Sequence, residues 1–283
     1  MKMLGITNLQ ILNDAEGRFG NQLFRIGTMI AQSYEKGIPF LIPNEWKHLN
    51  VFPNLKDHAH DYHDISFKIT ASHHESCFGY HNIPSTSGIL NITGYFQSWL
   101  FLKNYEQQVK KHMAVDNEII SRVKKRLPSD GEKLCIHIRW GDPYDRSVGG
   151  GHKGIEDRHP VMSIEYYERS IDYILSKRKI DEFVIFTDNN DTKEYIEGKF
   201  DRYGVKTTYF DYSDNYIDDF VAQTLCDHFI IANSTFSWWS AFLGGNENSI
   251  VCSPTENEWF GPTYSHFSTR GLLPNYWVQI TQK

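Results

Sequence analysis

The chain lacks several things that would have fixed its class at once. No apolar run in its 283 residues approaches the roughly 20 that a membrane helix needs, which excludes a spanning helix. Cysteine is limited to four residues, Cys77, Cys135, Cys226 and Cys252. They are scattered, and three stand beside apolar strand-like runs, which describes reduced core thiols rather than a disulfide framework. Basic charge is not in excess. With 29 Lys and Arg against 35 Asp and Glu the formal charge is -6, which speaks against a general nucleic-acid binder. Asp-x-Asp, a carboxylate pair suited to holding a divalent cation against a pyrophosphate, occurs nowhere. Any phosphate recognition must therefore rest on a few placed basic groups and backbone dipoles, and no metal or other cofactor is expected. Residues 1–12, "MKMLGITNLQIL", lack the layout of a secretory signal. The expected compartment is the cytoplasm, with peripheral contact to a membrane left open.

What is present is the composition of a globular protein, 40% hydrophobic and 14% aromatic, long enough for one large or two moderate domains. "GRFGNQLFRIGTMIAQSYEKG" opens on a glycine turn. It then runs as a helix with Leu23, Ile26, Ile30 and Tyr34 at core spacing, closed by Gly37. "IPFLIP" and "GILNITGYF" read as strands, 44–88 as loops and short elements, and 116–127 as a helix. The turn residues of "PSDGEK" (128–133) mark a boundary, giving domains 1–130 and 131–283. Beyond it the pattern is regular. Strands at 134–139, "EFVIFTD", "KTTYF", "HFIIAN" and, last, "SIVCSP" alternate with helices at 163–177, near 192–199, near 217–224 and at 237–243. That alternation means βαβ units and a parallel sheet, so the second half reads as a Rossmann-like domain and the first as a more irregular α/β domain.

In open parallel sheets, ligands bind outside the carboxyl ends of the strands. The polar residues that close these strands are His137, Arg139 and Asp142; Thr187 and Asp188; Asp211; and Asn233, Ser234 and Thr235. The Arg139 guanidinium suits a phosphate, which it can grip through two parallel hydrogen bonds. Spacing alone gives equal weight to an Arg139–Asp142 ion pair that only ties the loop down. In "NSTFSWW", Asn233, Ser234 and Thr235 precede a helix starting near Ser237. They offer hydroxyls, backbone N–H groups and a positive dipole end to a pyrophosphate, and equally serve as ordinary N-caps. Trp238 and Trp239 read as core. "GRFGNQ" matches neither nucleotide-loop pattern. Asn21 and Gln22 suit a hydroxyl-bearing acceptor, with a capped tight turn as the plain alternative. Six of the 13 histidines lie between His58 and His81, which reads as a polar loop before a metal site. "SVGGGHKG" (147–154), with Lys153, reads as a surface loop near Arg139.

Taken in order, "GRFGNQLF", "GYFQS", "HIRWGD", "PVMSIEYYERSI", "FTDNND", "IIANSTFSWWSAFLGG" and "VCSPTENEWF" resemble the α-1,2-fucosyltransferases of glycosyltransferase family 11, over about residues 17–260. The resemblance implies a GT-B-like α/β fold, two Rossmann-like domains facing a central cleft. It also implies an inverting, metal-independent transfer of L-fucose from GDP-fucose to the 2-hydroxyl of a galactoside. On that resemblance His137 contacts the nucleotide side and Arg139 binds the β-phosphate of departing GDP. Asp188, Asn233, Ser234, Thr235 and Ser237 line the donor pocket, and Gly20, Asn21 and Gln22 face the acceptor. The family's arginine motif commonly reads His-x-Arg-Arg, whereas here Trp140 stands in the last place. Protein O-fucosyltransferases share a related loop and arginine motif and form the alternative, together with a non-catalytic GDP-sugar or glycan binder. The carboxylates expected near the acceptor are Asp14, Glu16 and Asp142, with Asp142 orienting Arg139. None is expected to be indispensable as a base, and Asn21 is expected to position the attacking hydroxyl.

Overall fold

A computed structural model describes residues 4–76, 78–127, 131–139, 157–188, 190–210 and 215–282. Cys77, Trp140, Asp142, the 147–154 segment with Lys153, and Asp211 lie outside the described residues, as does the side chain of Glu16. The chain divides into two compact units, one of Met1–Asp116 with Phe267–Asn275, the other of Asn117–His266 with Tyr276–Lys283.

The first unit is built on five strands, β1 (Gly5–Thr7), β2 (Phe40–Pro43), β3 (Ala59–His60), β4 (Ile69–His74) and β5 (Ile89–Thr93). They are ordered β3-β2-β1-β5-β4, and every pairing is parallel. β2 is buried along its whole length, as a continuous apolar run in a parallel sheet must be. β4 alternates between half-buried and exposed residues because it is an edge strand. Helix α1 (Phe19–Lys36) follows β1 and buries nearly all of its first fifteen residues, Leu23, Ile26 and Ile30 among them. Gly37 ends it at φ 63°, the left-handed conformation that glycine adopts without a Cβ penalty. Tyr34 departs from the helical pattern: it lies exposed, stacked on Tyr105 6.1 Å away. Short helices α2 (Tyr62–Ser66) and α3 (Glu106–His112) complete this unit.

The second unit opens with α4 (Asn117–Lys124) and alternates β6 (Lys133–Ile138), α5 (Ile164–Leu175), β7 (Glu182–Thr187), α6 (Asn190–Ile196) and β8 (Lys206–Tyr209). It continues with α7 (Tyr216–Thr224), β9 (His228–Ile230), α8 (Thr235–Gly244), β10 (Val251–Pro254) and β11 (Val278–Ile280). β11 is a strand beyond "SIVCSP", the last that the sequence pattern marks. The six strands run parallel in the order β11-β10-β9-β6-β7-β8. Numbered within the unit this is 6-5-4-1-2-3, the order of a dinucleotide-binding sheet.

The units divide at 116/117 and not at 130. α4 belongs with the second unit because Arg122 and Arg126 both form ion pairs with the buried Asp218 of α7. The chain also returns to the first unit near its end. There the Ser98 hydroxyl donates to the Gly271 carbonyl at 2.8 Å and the Trp99 N–H to the Leu272 carbonyl at 3.3 Å.

Candidate active site

Strand order in the second sheet reverses between β6 and β9, and the crevice outside their carboxyl ends is where such a sheet takes its ligand. Register places Ile138 opposite Thr187 and Ile136 opposite Ile230. His137 and Arg139 at the end of β6, Asp188 at the end of β7, and Asn233 to Thr235 after β9 therefore share one edge.

Two adjacent tyrosines of α5, in "EYYERS", set the positions of these strand ends. The Tyr167 hydroxyl donates to the His137 carbonyl at 3.2 Å, and the backbone N–H of Arg139 bonds back to it. The Tyr166 hydroxyl donates to the Ile231 carbonyl at 2.7 Å. Both rings are fully buried, and burial drives both phenols above their ordinary range, so they stay neutral donors. Neither tyrosine stood among the residues expected at the site. The signal was the pair itself, two phenols that need buried partners.

His137 is 6% exposed, and its Nδ1 has no hydrogen-bond partner. Burial first, and the neighbouring Arg139 second, push its pKa down to about 3, so the ring is neutral across the physiological range. The orphaned atom thus lies in the neighbourhood of a half-exposed cationic residue at the strand end. Asp188 is half-buried and accepts from the Thr192 hydroxyl at 3.2 Å. Thr235 begins α8 and is half-exposed.

The remaining residues expected at the donor pocket work as struts. The Asn233 side-chain amide donates to the carbonyls of Pro160 at 2.8 Å and Trp259 at 3.1 Å, tying two loops to the end of β9. The Ser234 hydroxyl caps α8 by accepting from the Phe236 N–H at 3.3 Å. Ser237 is fully buried and donates to the Ser234 carbonyl at 3.3 Å, so it faces the interior. Trp238 and Trp239 are core, as their pattern implied.

The "GRFGNQ" turn belongs to the first unit, at the start of α1. Gly17 sits at φ 146°, and a Cβ there would stand 2.9 Å from the Asn21 Cβ, so the turn closes only around glycine. Gly20 is buried in the helix. Gln22 is fully buried with both ends of its amide engaged: it donates to Asp14 at 2.8 Å and accepts from Trp46 Nε1 at 2.9 Å. Its second N–H reaches the Gly17 carbonyl at 3.2 Å, so this amide braces the turn. Asn21 differs. It is half-exposed, and its side-chain carbonyl accepts from Gln97 at 2.9 Å. Asp14 is paired with Lys47, which holds its carboxyl below the usual range.

Four of the six histidines of 58–81 are engaged in pairs and stacks, His63 against Phe67 among them. His58 lies on Phe40 at 3.8 Å, and His73 meets His81 at 3.1 Å between Nε2 atoms. Among the described residues no group of three His, Cys, Asp or Glu is arranged to hold a metal ion. Among them, too, no helix is long and apolar enough to cross a membrane, and Cys135, Cys226 and Cys252 are free and buried.

A doubly wound sheet with His137 and Arg139 at its reversal point has the layout of a nucleotide-binding sheet. Residues 6–266 match the family described as glycosyl transferase family 11, and the chain belongs to it. It is 29% identical to the O-antigen biosynthesis glycosyltransferase WbnK of Escherichia coli over 179 residues. That match covers 60% of this chain and 55% of WbnK, about half its length. It is 23% identical to galactoside alpha-(1,2)-fucosyltransferase 2 of Oryctolagus cuniculus, over 95% of this chain and 76% of that one. Among solved structures it resembles POFUT1 in complex with GDP, with a TM-score of 0.51 at 14% identity, covering 88% of this chain and 98% of that one. This likeness and the two parallel sheets bear out the GT-B-like α/β fold.

Proposed function

We propose that this chain transfers L-fucose from GDP-fucose to the 2-hydroxyl of a terminal galactose, forming an α-1,2 linkage with inversion and without a metal. The observation that carries the reading is the pair at the end of β6: Arg139 half-exposed beside His137, whose buried Nδ1 is unpartnered. Membership of family 11 and the names of the galactoside fucosyltransferase relatives support this choice of sugar and linkage.

In this reading the bond from the anomeric carbon to the β-phosphate oxygen breaks, and its electron pair leaves with GDP. The Arg139 guanidinium meets the charge that develops on that phosphate, and the first N–H groups of α8 add a second positive pole. Neutral His137 gives or accepts a hydrogen bond on the nucleotide side and transfers no proton. The acceptor hydroxyl attacks from the opposite face of the sugar, positioned by Asn21, and its proton passes to solvent. With charge neutralisation assigned to Arg139, no step requires a bridging cation.

The test is GDP release from GDP-fucose with and without lactose, followed by NMR of the product. Lactose-stimulated release with fucose on the galactose 2-hydroxyl is expected. Fucose on a protein acceptor but not on lactose would replace this reading with protein O-fucosylation. Binding of GDP-fucose without turnover would replace it with a non-catalytic role.

A further inference from the structure

The sheet of the first unit also reverses its strand order, between β1 and β5, and an unusual turn stands at that point. Gly94 to Gln97 leave the end of β5 with four hydrogen bonds aimed at their main chain. Arg25, buried in α1 to 1% exposure, donates Nε to the Gly94 carbonyl at 2.7 Å. The Gln10 side chain accepts from the Gly94 N–H at 2.7 Å. One Glu75 carboxylate oxygen accepts from the N–H groups of Tyr95 at 2.6 Å and Phe96 at 3.1 Å. Phe96 is held at φ 54° and is the only non-glycine residue with positive φ among those described. Its ring is fully buried.

The outcome of all this fixing is the placement of two side chains. Tyr95 is turned outward, 40% exposed, with the Arg25 guanidinium 5.3 Å from its ring centre. Gln97 is turned inward and donates to Asn21 at 2.9 Å. Asn21 and Arg25 are four residues apart on α1 and so lie on one helix face, their Cβ atoms about 6 Å apart. Tyr95 and Gln97 are two residues apart in the turn, so their Cα atoms lie within about 7 Å of each other, the scale of a pyranose. A buried arginine and a half-buried glutamate spent on the main chain of a strained turn, which leaves one aromatic exposed beside fixed amides, fit a ligand with both an apolar face and hydroxyls. A galactopyranoside is such a ligand, with one face paved by C–H bonds.

We infer that the Gly94–Gln97 turn is a hexopyranoside subsite, in which Tyr95 stacks on the apolar face of the sugar and the Gln97–Asn21 pair meets its hydroxyls. The inference rests on the galactoside acceptor of the proposed function and assigns it a specificity-determining residue, Tyr95. The experiment is steady-state transfer with lactose and GDP-fucose varied independently, in Tyr95→Ala, Tyr95→Leu and Tyr95→Trp. The alanine and leucine variants should raise the lactose KM about tenfold while the GDP-fucose KM moves less than about twofold. Tyr95→Trp should stay near wild type, since it keeps an aromatic face. A lactose KM unmoved in Tyr95→Ala, or both KM values raised alike, overturns the subsite and leaves the function standing. If the wild type does not turn over GDP-fucose, the function reading has failed instead. Saturation-transfer NMR with lactose and methyl galactoside, on wild type and Tyr95→Ala, then decides the subsite alone. Signal in the wild type that Tyr95→Ala loses supports it. Absence of signal in the wild type, or equal signal in both, overturns it.

Discussion

At the scale of the residue, Arg139 and Asp14 separate two kinds of charge. Arg139 ends β6 half-exposed at the sheet's reversal point, so its loss should harm chemistry more than folding. Arg139→Ala should lower the transfer rate by about a hundredfold, near 3 kcal/mol of transition-state stabilisation, with the melting temperature little changed. Arg139→Lys should fail too, because a point charge cannot reproduce the planar fork. A variant keeping half of wild-type turnover would remove Arg139 from the mechanism. Asp14 is the reverse case. The ion pair with Lys47 and the hydrogen bond from Gln22 hold its carboxyl below the ordinary range, and a carboxylate so stabilised is a poor proton acceptor. Asp14→Asn should therefore cost less than about tenfold in kcat, whereas Asn21→Ala should cost more. A thousandfold fall in Asp14→Asn, with GDP affinity intact, would make Asp14 the base. The position of Arg139 was legible because the apolar run before it marks the end of β6. The engaged state of Gln22 was not, since its partners Asp14 and Trp46 stand eight and twenty-four residues away.

At the scale of the element, the reversal point depends on α5 more than on the strands it joins. Tyr167 fixes the end of β6 and Tyr166 the end of β9, so one helix sets the two sides of the crevice. Tyr167→Phe keeps the packing and removes the hydroxyl, leaving the Arg139 N–H and the His137 carbonyl short of a partner. Stability should fall by about 1–3 kcal/mol in a denaturant titration, and the GDP-fucose KM should rise while the lactose KM holds. Equal shifts in both KM values would mean that Tyr167 only packs. The second unit was readable because its strands are near-continuous apolar runs between helices of clear period. β11 escaped because "VQI" is three residues with a polar centre on an edge strand. The first unit was harder for the same reason. β1 is three residues long, and β4, "ITASHH", alternates because its outer face meets solvent. Its order is held by side chain to main chain contacts such as Arg25 to Gly94, which span 69 residues and leave no local pattern. Gly94 shows how tight they are: at φ 141° its Cβ would lie 2.4 Å from that of Glu75, so Gly94→Ala should destabilise the unit measurably.

At the scale of the whole molecule, metal and acid probe what the sites share. Because no Asp-x-Asp is present and Arg139 is proposed to meet the leaving phosphate, excess EDTA should leave turnover unchanged. Activity lost to EDTA and restored by manganese or magnesium would contradict the proposed chemistry. Acid should act on the fold instead. His48 in the first unit is pushed down to about 4, by burial and then Lys47, and His137 in the second to about 3, by burial and then Arg139. His58, His73, His112 and His228 are lowered as well, each mainly by burial. The unfolded chain protonates these rings near their ordinary value while the folded chain keeps them neutral, so the unfolded state binds more protons below that value. Stability is thus complete above about pH 6.5 and is lost as pH falls toward the folded values, at about 1.4 kcal/mol per pH unit for each proton involved. Glu75, raised by burial, works in the opposite sense but only near the carboxylate range. Melting temperatures should therefore drop between pH 7 and 5, before the carboxylates titrate. His48→Asn and His137→Asn should each shallow that drop, whatever they cost at pH 7, because a packing loss alone does not change a pH slope. If both variants keep the wild-type slope, the two rings are protonated in the folded protein and the neutral His137 assigned to the nucleotide side is wrong.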